Sequence, residues 1–173
     1  MEEQRLMVYD CAGNIKWEME GLALCDMDEA AGLLLALKGQ EVYLLDFSGT
    51  VLWARKTPVD ILKAQLSRKG EKVLVYGQSG GNDNLFCYNL KGDLSWQQRI
   101  PDNSLVDISA TGARTVVASW QQYSEDYTQV QLLDSRGEKE RELEIASRVE
   151  KVALSRDGST LALAGGDGNI YIL

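Results

Sequence analysis

An all-β chain of repeated antiparallel hairpins is what this sequence predicts, and two interleaved series of turns predict it. In the first series an apolar strand ends in Asp or Asn, turns through Gly and restarts toward Trp. It reads Asp10–Gly13–Trp17, Asp46–Gly49–Trp53 and Asn89–Gly92–Trp96, with a degenerate copy at Asp134–Gly137. In the second series a strand ends in a Ser-x-x-Gly turn before a strongly apolar strand, clearest from Val149 through Ser155 and Gly158 to Gly165. Its glycines at 32, 70, 112 and 158 are 38, 42 and 46 apart, and those at 13, 49, 92 and 137 are 36, 43 and 45 apart. Two turn series in step at about forty residues per cycle have the spacing of a four-stranded β-propeller blade. The predicted architecture is a β-propeller of about four four-stranded antiparallel blades in a single domain over 1–173. Its repeats are 1–20 (partial), 21–56, 57–99, 100–145 and 146–173 (partial).

Counted from the axis outward, the predicted first strands of the blades are 21–27, 61–67, 104–110 and 149–155. The second strands, 32–38, 71–78, 114–120 and 159–165, are almost continuously apolar (Leu33–Leu35, Val73–Val75, Val116–Ala118), as a strand covered on both faces by neighbouring blades should be. The first of these copies carries one extra residue before Gly32. Third strands are placed at 5–10, 41–47, 84–90, 128–135 and 168–173, and fourth strands at 15–20, 50–56, 93–99 and 139–145. The fourth strands are polar (Gln97-Gln98-Arg99, Arg141-Glu142), which suits an outer edge that must resist sheet-to-sheet pairing. The chain starts and ends on a third strand, one strand more than four closed blades hold. Three arrangements meet that count. The 15–20 strand completes the last blade of a closed four-bladed ring; two chains join head to tail as an eight-bladed ring; or the chain is a fragment of a larger propeller. An open arc exposes apolar blade faces, so a homodimer through the open blade ends is one expected partner state.

Composition narrows the chemistry. The 173 residues, 45% hydrophobic, supply a core for one domain. A formal charge of -8 and a pI near 4.6 are the opposite of a phosphate-backbone footprint, so no nucleic-acid partner is expected. Histidine is absent, which removes the commonest general base and transition-metal ligand. Cys11, Cys25 and Cys87 are odd in number and lack zinc-site spacing, and read as incidental thiols of a reducing compartment. The first residues have neither the basic region nor the apolar run of a signal peptide, and the longest apolar run, Leu33–Leu37, is far too short to span a bilayer. A cytoplasmic chain without membrane insertion is the simplest expectation; a piece of a longer exported protein would read the same.

The hairpin segments resemble the quinoprotein-like (PQQ-like) propeller repeat, an apolar strand followed by Asp, a short turn, Gly and, three residues on, Trp. Asp46, Gly49 and Trp53 match it best, with a turn one residue shorter than the family's. Residues 152–172 equally resemble a WD40 repeat, with Ser155-Arg156-Asp157-Gly158 and Gly166-Asp167-Gly168-Asn169 at its turns, although the Gly-His and Trp-Asp pairs of that repeat are missing. The resemblance implies a superfamily that ranges from dehydrogenases to protein scaffolds. The calcium, quinone pocket and catalytic acids of the quinone enzymes have no legible counterpart, so no cofactor carries over.

Each candidate residue has a structural reading beside its functional one. The recurring Trp17, Trp53 and Trp96 are expected to pack against the adjacent blade, with each indole N–H reaching a turn carbonyl. Asp10, Asp46, Asn89 and Asp134 are expected to cap the following backbone N–H groups. Asp157, Asp167 and Asn169 lack the alternating series of a calcium loop and read as turn residues. Asp26, Gln65 and Asp107 occupy equivalent first-strand positions and are candidates to line a polar channel. The connections 77–84 and 121–128 are longer than their counterparts, and recognition concentrates on such loops. They place Asn82, Asp83, Trp120, Tyr123, Glu125, Asp126 and Tyr127 on one face as a candidate protein- or peptide-binding surface. No Ser or Cys has a His partner, so no nucleophilic triad is assembled. The expected function is a non-catalytic interaction scaffold. A quinoprotein-type enzyme or cofactor-binding propeller, and a structural β-domain of a larger assembly, are the alternatives.

Overall fold

The structure is a computed structural model and describes residues 4–120 and 127–173. Among the described residues seventeen strands fall into five sheets, each an antiparallel meander in chain order. Sheet 1 is β1 (Arg5–Tyr9) and β2 (Ile15–Glu20). Sheet 2 is β3 (Ala23–Asp28), β4 (Leu33–Lys38), β5 (Glu41–Asp46) and β6 (Val51–Lys56). Sheet 3 is β7 (Asp60–Leu66), β8 (Lys72–Ser79), β9 (Asn82–Asn89) and β10 (Leu94–Ile100). Sheet 4 is β11 (Leu105–Ile108), β12 (Thr115–Trp120), β13 (Thr128–Leu133) and β14 (Lys139–Ile145). Sheet 5 is β15 (Val149–Leu154), β16 (Leu161–Gly165) and β17 (Ile170–Ile172). The fold is therefore all-β with four-stranded antiparallel sheets. Among the described residues no helix is long and apolar enough to cross a membrane.

The period-2 alternation of side chains distributes the core between successive sheets. In β4, Leu33 and Leu35 pack forward with Val42, Leu44 and Trp53 against Val59, Ala64, Leu66, Val73 and Val75 of sheet 3. Leu34 and Ala36 of the same strand pack backward against Leu6, Val8, Trp17 and Met19 of sheet 1. Sheet 3 repeats the arrangement: Leu74, Tyr76, Leu85, Cys87 and Trp96 face Val106, Ile108 and Val117. Val116, Ala118 and Val130 face Val149, Leu161 and Leu163 of sheet 5. A strand buried on both sides must be apolar at every position, which is why Leu33–Ala36 and Val73–Tyr76 are wholly buried.

The turns obey one local rule. The Oδ1 of Asp10, Asp46, Asn89 and Asp134 accepts backbone N–H groups two and four residues on, and the turn glycine donates back to the Asx carbonyl three residues before it. In the other series the Ser67, Ser109 and Ser155 hydroxyls accept the N–H five residues on. Asp28 takes the place of serine in the first copy and accepts from Ala30 and Ala31, and this accommodates the extra residue before Gly32.

Two expectations are corrected. The 77–84 connection is not a loop: β8 and β9 pair through Ser79↔Asn82, and the turn is Gly80–Gly81, both at positive φ (59° and 78°), the two-residue geometry that matches strand twist. The 15–20 strand does not complete the last sheet either. β2 pairs with β1 from Arg5↔Glu20 to Tyr9↔Ile15, and sheet 5 has three strands.

Candidate functional site

The first strands of sheets 2 to 5 line a common cleft of about 1310 Å3. Side chains on these strands tie the sheets together. Asp26 Oδ2 on β3 accepts the backbone N–H of Leu66 on β7 at 2.8 Å. Asp107 on β11 uses both oxygens, accepting Gln65 Nε2 from β7 at 2.8 Å and the Leu154 N–H from β15 at 2.9 Å. Lys63 Nζ adds a bond to the Val106 carbonyl at 2.9 Å. The three residues that equivalence picked out as channel lining, Asp26, Gln65 and Asp107, do border the cleft, and there they are also the latches between neighbouring first strands. Toward the turns the cleft is bordered by Asp28, Glu29, Arg68 and Arg156, so acids and bases from three sheets meet around one opening. Sequence reasoning missed Lys63, Arg68 and Arg156; Arg68 and Arg156 each follow the capping Ser of a Ser-x-x-Gly turn, a signal present in the repeat alignment.

The opposite ends of the sheets carry the second-to-third-strand connections. Asp83 is 1% exposed and accepts three donors: the Tyr76 hydroxyl, Gln78 Nε2 at 2.9 Å and the Asn103 N–H at 2.8 Å. It is thus a buried tie between the β8–β9 hairpin and the β10–β11 connection, and this corrects its placement on an exposed binding loop. Asn82 stays half-buried beside Gly80. Trp120 ends β12 under the Arg148 guanidinium, 4.7 Å from its ring centroid, and Tyr127 is 48% exposed. Tyr123, Glu125 and Asp126 lie outside the described residues. Arg148 was not legible in advance, because it reaches Trp120 from the β14–β15 connection.

The recurring tryptophans form the outer seams. Trp17 Nε1 donates to the Phe47 carbonyl and Trp53 Nε1 to the Leu90 carbonyl, each at 3.0 Å. Each indole lies against the turn glycine of the following sheet: a Cβ on Gly49, Gly92 or Gly137 would come within 2.9, 2.9 or 2.7 Å of the Trp17, Trp53 or Trp96 ring. The four Asx residues and these glycines set the geometry of the turns.

Asp157 and Asp167 are held to about 2 by hydrogen bonds to their ionised forms. The largest contribution comes from the Ser159 N–H for Asp157, with both serine hydroxyls, and from the Tyr171 hydroxyl for Asp167. A depressed folded pKa stabilises above the unfolded value of 3.8, and that contribution fades as pH falls toward about 2. In a carboxyl NMR titration, Asp157 is expected to titrate near 2 in the native chain and to move up toward 3.8 in Ser155→Ala/Ser159→Ala. An unchanged Asp157 titration in that variant would remove the turn from this account. Among the described residues no group of three or more His, Cys, Asp or Glu is placed to hold a metal.

No protein-family model matches the sequence, and no curated protein matches it. Its fold does have solved counterparts. A Bacteroides caccae protein of unknown function superposes with TM-score 0.55 at 16% identity, over 99% of this chain and 68% of that one. The Pyrococcus horikoshii acylaminoacyl peptidase superposes with TM-score 0.74 at 14% identity, over 99% of this chain and 33% of the peptidase. The chain thus spans a third of the peptidase's length. At these identities the likeness is one of fold, a β-rich arrangement of antiparallel sheets.

Proposed function

We propose that these 173 residues are an arc of β-propeller repeats of the quinoprotein-like or WD40-like kind, acting as a non-catalytic module that binds protein or peptide. The Asx–Gly–Trp seams support the repeat assignment. The observation that carries the binding reading is the cleft of about 1310 Å3 along the first strands, a size that suits a polypeptide segment. Its turn-side mouth, with Arg68 and Arg156 near Asp28 and Glu29, offers charged recognition on a latched scaffold. A second surface, on the hairpin side, is favoured by the exposed Tyr127 next to the Trp120–Arg148 stack.

Selection of displayed random peptides against the immobilised chain tests the reading. Enriched peptides are expected to lose about tenfold or more in affinity on Arg68→Glu/Arg156→Glu. If Tyr127→Ala weakens them instead, the hairpin side is the binding face. If no peptide is enriched, the module reading fails. The rival enzyme reading predicts that a quinone with calcium raises the melting temperature, an effect the binding module does not show.

A further inference from the structure

The β9–β10 ladder of sheet 3 uses its polar side chains differently from its counterparts. On one face Phe86 stands opposite Gln97 and Asn84 opposite Arg99. Phe86 joins Val59 in the core shared with sheet 2, so this face looks toward that sheet. At the equivalent ladder positions the other sheets close side-chain pairs. Arg5 meets Glu18 at 3.3 Å in sheet 1, Tyr43 meets Glu41 at 2.8 Å in sheet 2, and Gln131 meets Glu142 at 3.2 Å in sheet 4. In sheet 3 Asn84, Gln97 and Arg99 form no such pair among the described residues. They border a hollow of about 440 Å3 together with Pro58 and Val59 of the β6–β7 connection.

Local bonds fix what this wall offers. Asn84 Nδ2 donates to the Asn82 carbonyl at 3.0 Å, and Asn82 Nδ2 to the Gly80 carbonyl at 3.4 Å. Each carboxamide thus commits a donor to the backbone and keeps its Oδ1 as an acceptor, which calls for an O–H or N–H rather than an anion. Opposite Asn84, Arg99 is exposed and brings a planar fork of donors that matches a carboxylate with two parallel hydrogen bonds. The border of the hollow holds no Asp or Glu, although the chain carries a formal charge of -8. A second hollow of about 430 Å3 shares Asn82 and Arg99 but has Asp102 on its border, and that charge repels an anion there. The acid-free side of Arg99 is the one left for a carboxylate.

We propose that the hollow beside Asn84 and Arg99 binds a sugar acid, a hydroxylated ring that carries a carboxylate. The carboxylate seats on Arg99, and ring hydroxyls donate to the Oδ1 atoms of Asn82 and Asn84. The exposed Pro58 offers an apolar surface to the C–H face of the ring. Hydroxyls suit carboxamides because they donate and accept at one atom. An acidic peptide side chain would satisfy Arg99 but bring no donor of its own for the two acceptor oxygens. A neutral sugar would leave the guanidinium without a counter-charge. The volume falls in the range of small-molecule sites. This site is separate from the first-strand cleft and stands whether or not that cleft takes a peptide.

The test is amide NMR of the 173-residue chain titrated with sodium D-glucuronate. Saturable shifts are expected at the side-chain amides of Asn82, Asn84 and Gln97 and at the Arg99 guanidinium. Arg99→Gln, an exposed substitution that keeps the circular dichroism of the parent, is expected to weaken binding about tenfold or more. D-glucose lacks the carboxylate and acetate lacks the hydroxyls, so each is expected to bind at least about tenfold more weakly than D-glucuronate. No saturable shift with D-glucuronate overturns the proposal, as do shifts confined to other sheets or binding indifferent to Arg99→Gln. If acetate matches D-glucuronate, or N-acetyl-L-glutamate binds more tightly than it, the hollow reads a carboxylate as an acidic peptide presents it, and the sugar-acid assignment falls.

Discussion

Trp53→Ala is expected to cost about 3–5 kcal/mol of folding stability, the range for deleting a buried aromatic. At roughly 2–4 °C per kcal/mol for a chain of this size, the melting temperature falls by about 6–20 °C. The indole is 6% exposed and does three things at once. Its ring supports Gly92 of the next sheet, its N–H satisfies the Leu90 carbonyl at 3.0 Å, and its edge meets Tyr88 at a centroid distance of 6.0 Å. Alanine leaves the carbonyl without that donor and opens a cavity between two sheets. Trp17 makes the same contacts with Phe47 and Gly49, but it is half-buried and belongs to the two-stranded terminal sheet. Its loss is expected to cost about 1–2 kcal/mol. Approaching the seam from the other side, Gly92→Ala forces a methyl to within 2.9 Å of the Trp53 ring at a φ of +76°, where L residues are strained. Urea denaturation of the three variants gives the order directly. Trp17→Ala proving costlier than Trp53→Ala would mean that the seams do not carry the stability ascribed to them.

The seams were legible because their chemistry is local. Asp46, Gly49 and Trp53 specify a cap, a positive φ and a packed ring within eight residues, and repetition made the pattern visible. Strand limits follow from the same turns: 15–20 and 139–145 were placed at their observed bounds. What sequence left hidden depends on partners far along the chain. Asp107 meets Leu154 from 47 residues away by accepting a backbone N–H, a contact with no side-chain signature at its far end. The extension of β8 and β9 past Gly77 hid for another reason. Gln78, Ser79 and Asn82 lack apolar alternation, so only the Gly80–Gly81 pair pointed to a tight hairpin. The pairing of β2 was also hidden, since the strand pattern leaves open which strand it joins.

Asp83→Ala is expected to destabilise by about 3–4 kcal/mol, and magnitudes decide the sign. Removing a buried carboxylate relieves its desolvation, which on its own favours the variant. Against that, the Tyr76 hydroxyl, the Gln78 amide and the Asn103 N–H all lose their acceptor inside the protein, and hydrogen bonds to a charged group are worth about 1.5–3 kcal/mol each. Asn103, held at a φ of +59°, loses the bond that fixes it. Burial, and then Asp83 itself, push the Tyr76 phenol up from its usual 10, so its contribution is present below pH 10 and is lost as pH rises through the elevated value. A double-mutant cycle of Asp83→Ala with Tyr76→Phe is expected to give a coupling above about 1 kcal/mol. Hydrogen exchange should accelerate at Ser79–Asn82 and Asn103, the two segments that Asp83 joins, before the rest of sheet 3 responds. Additive effects, with exchange unchanged at both segments, would reduce Asp83 to an ordinary buried polar residue and leave the β8–β9 hairpin held by its backbone ladder alone.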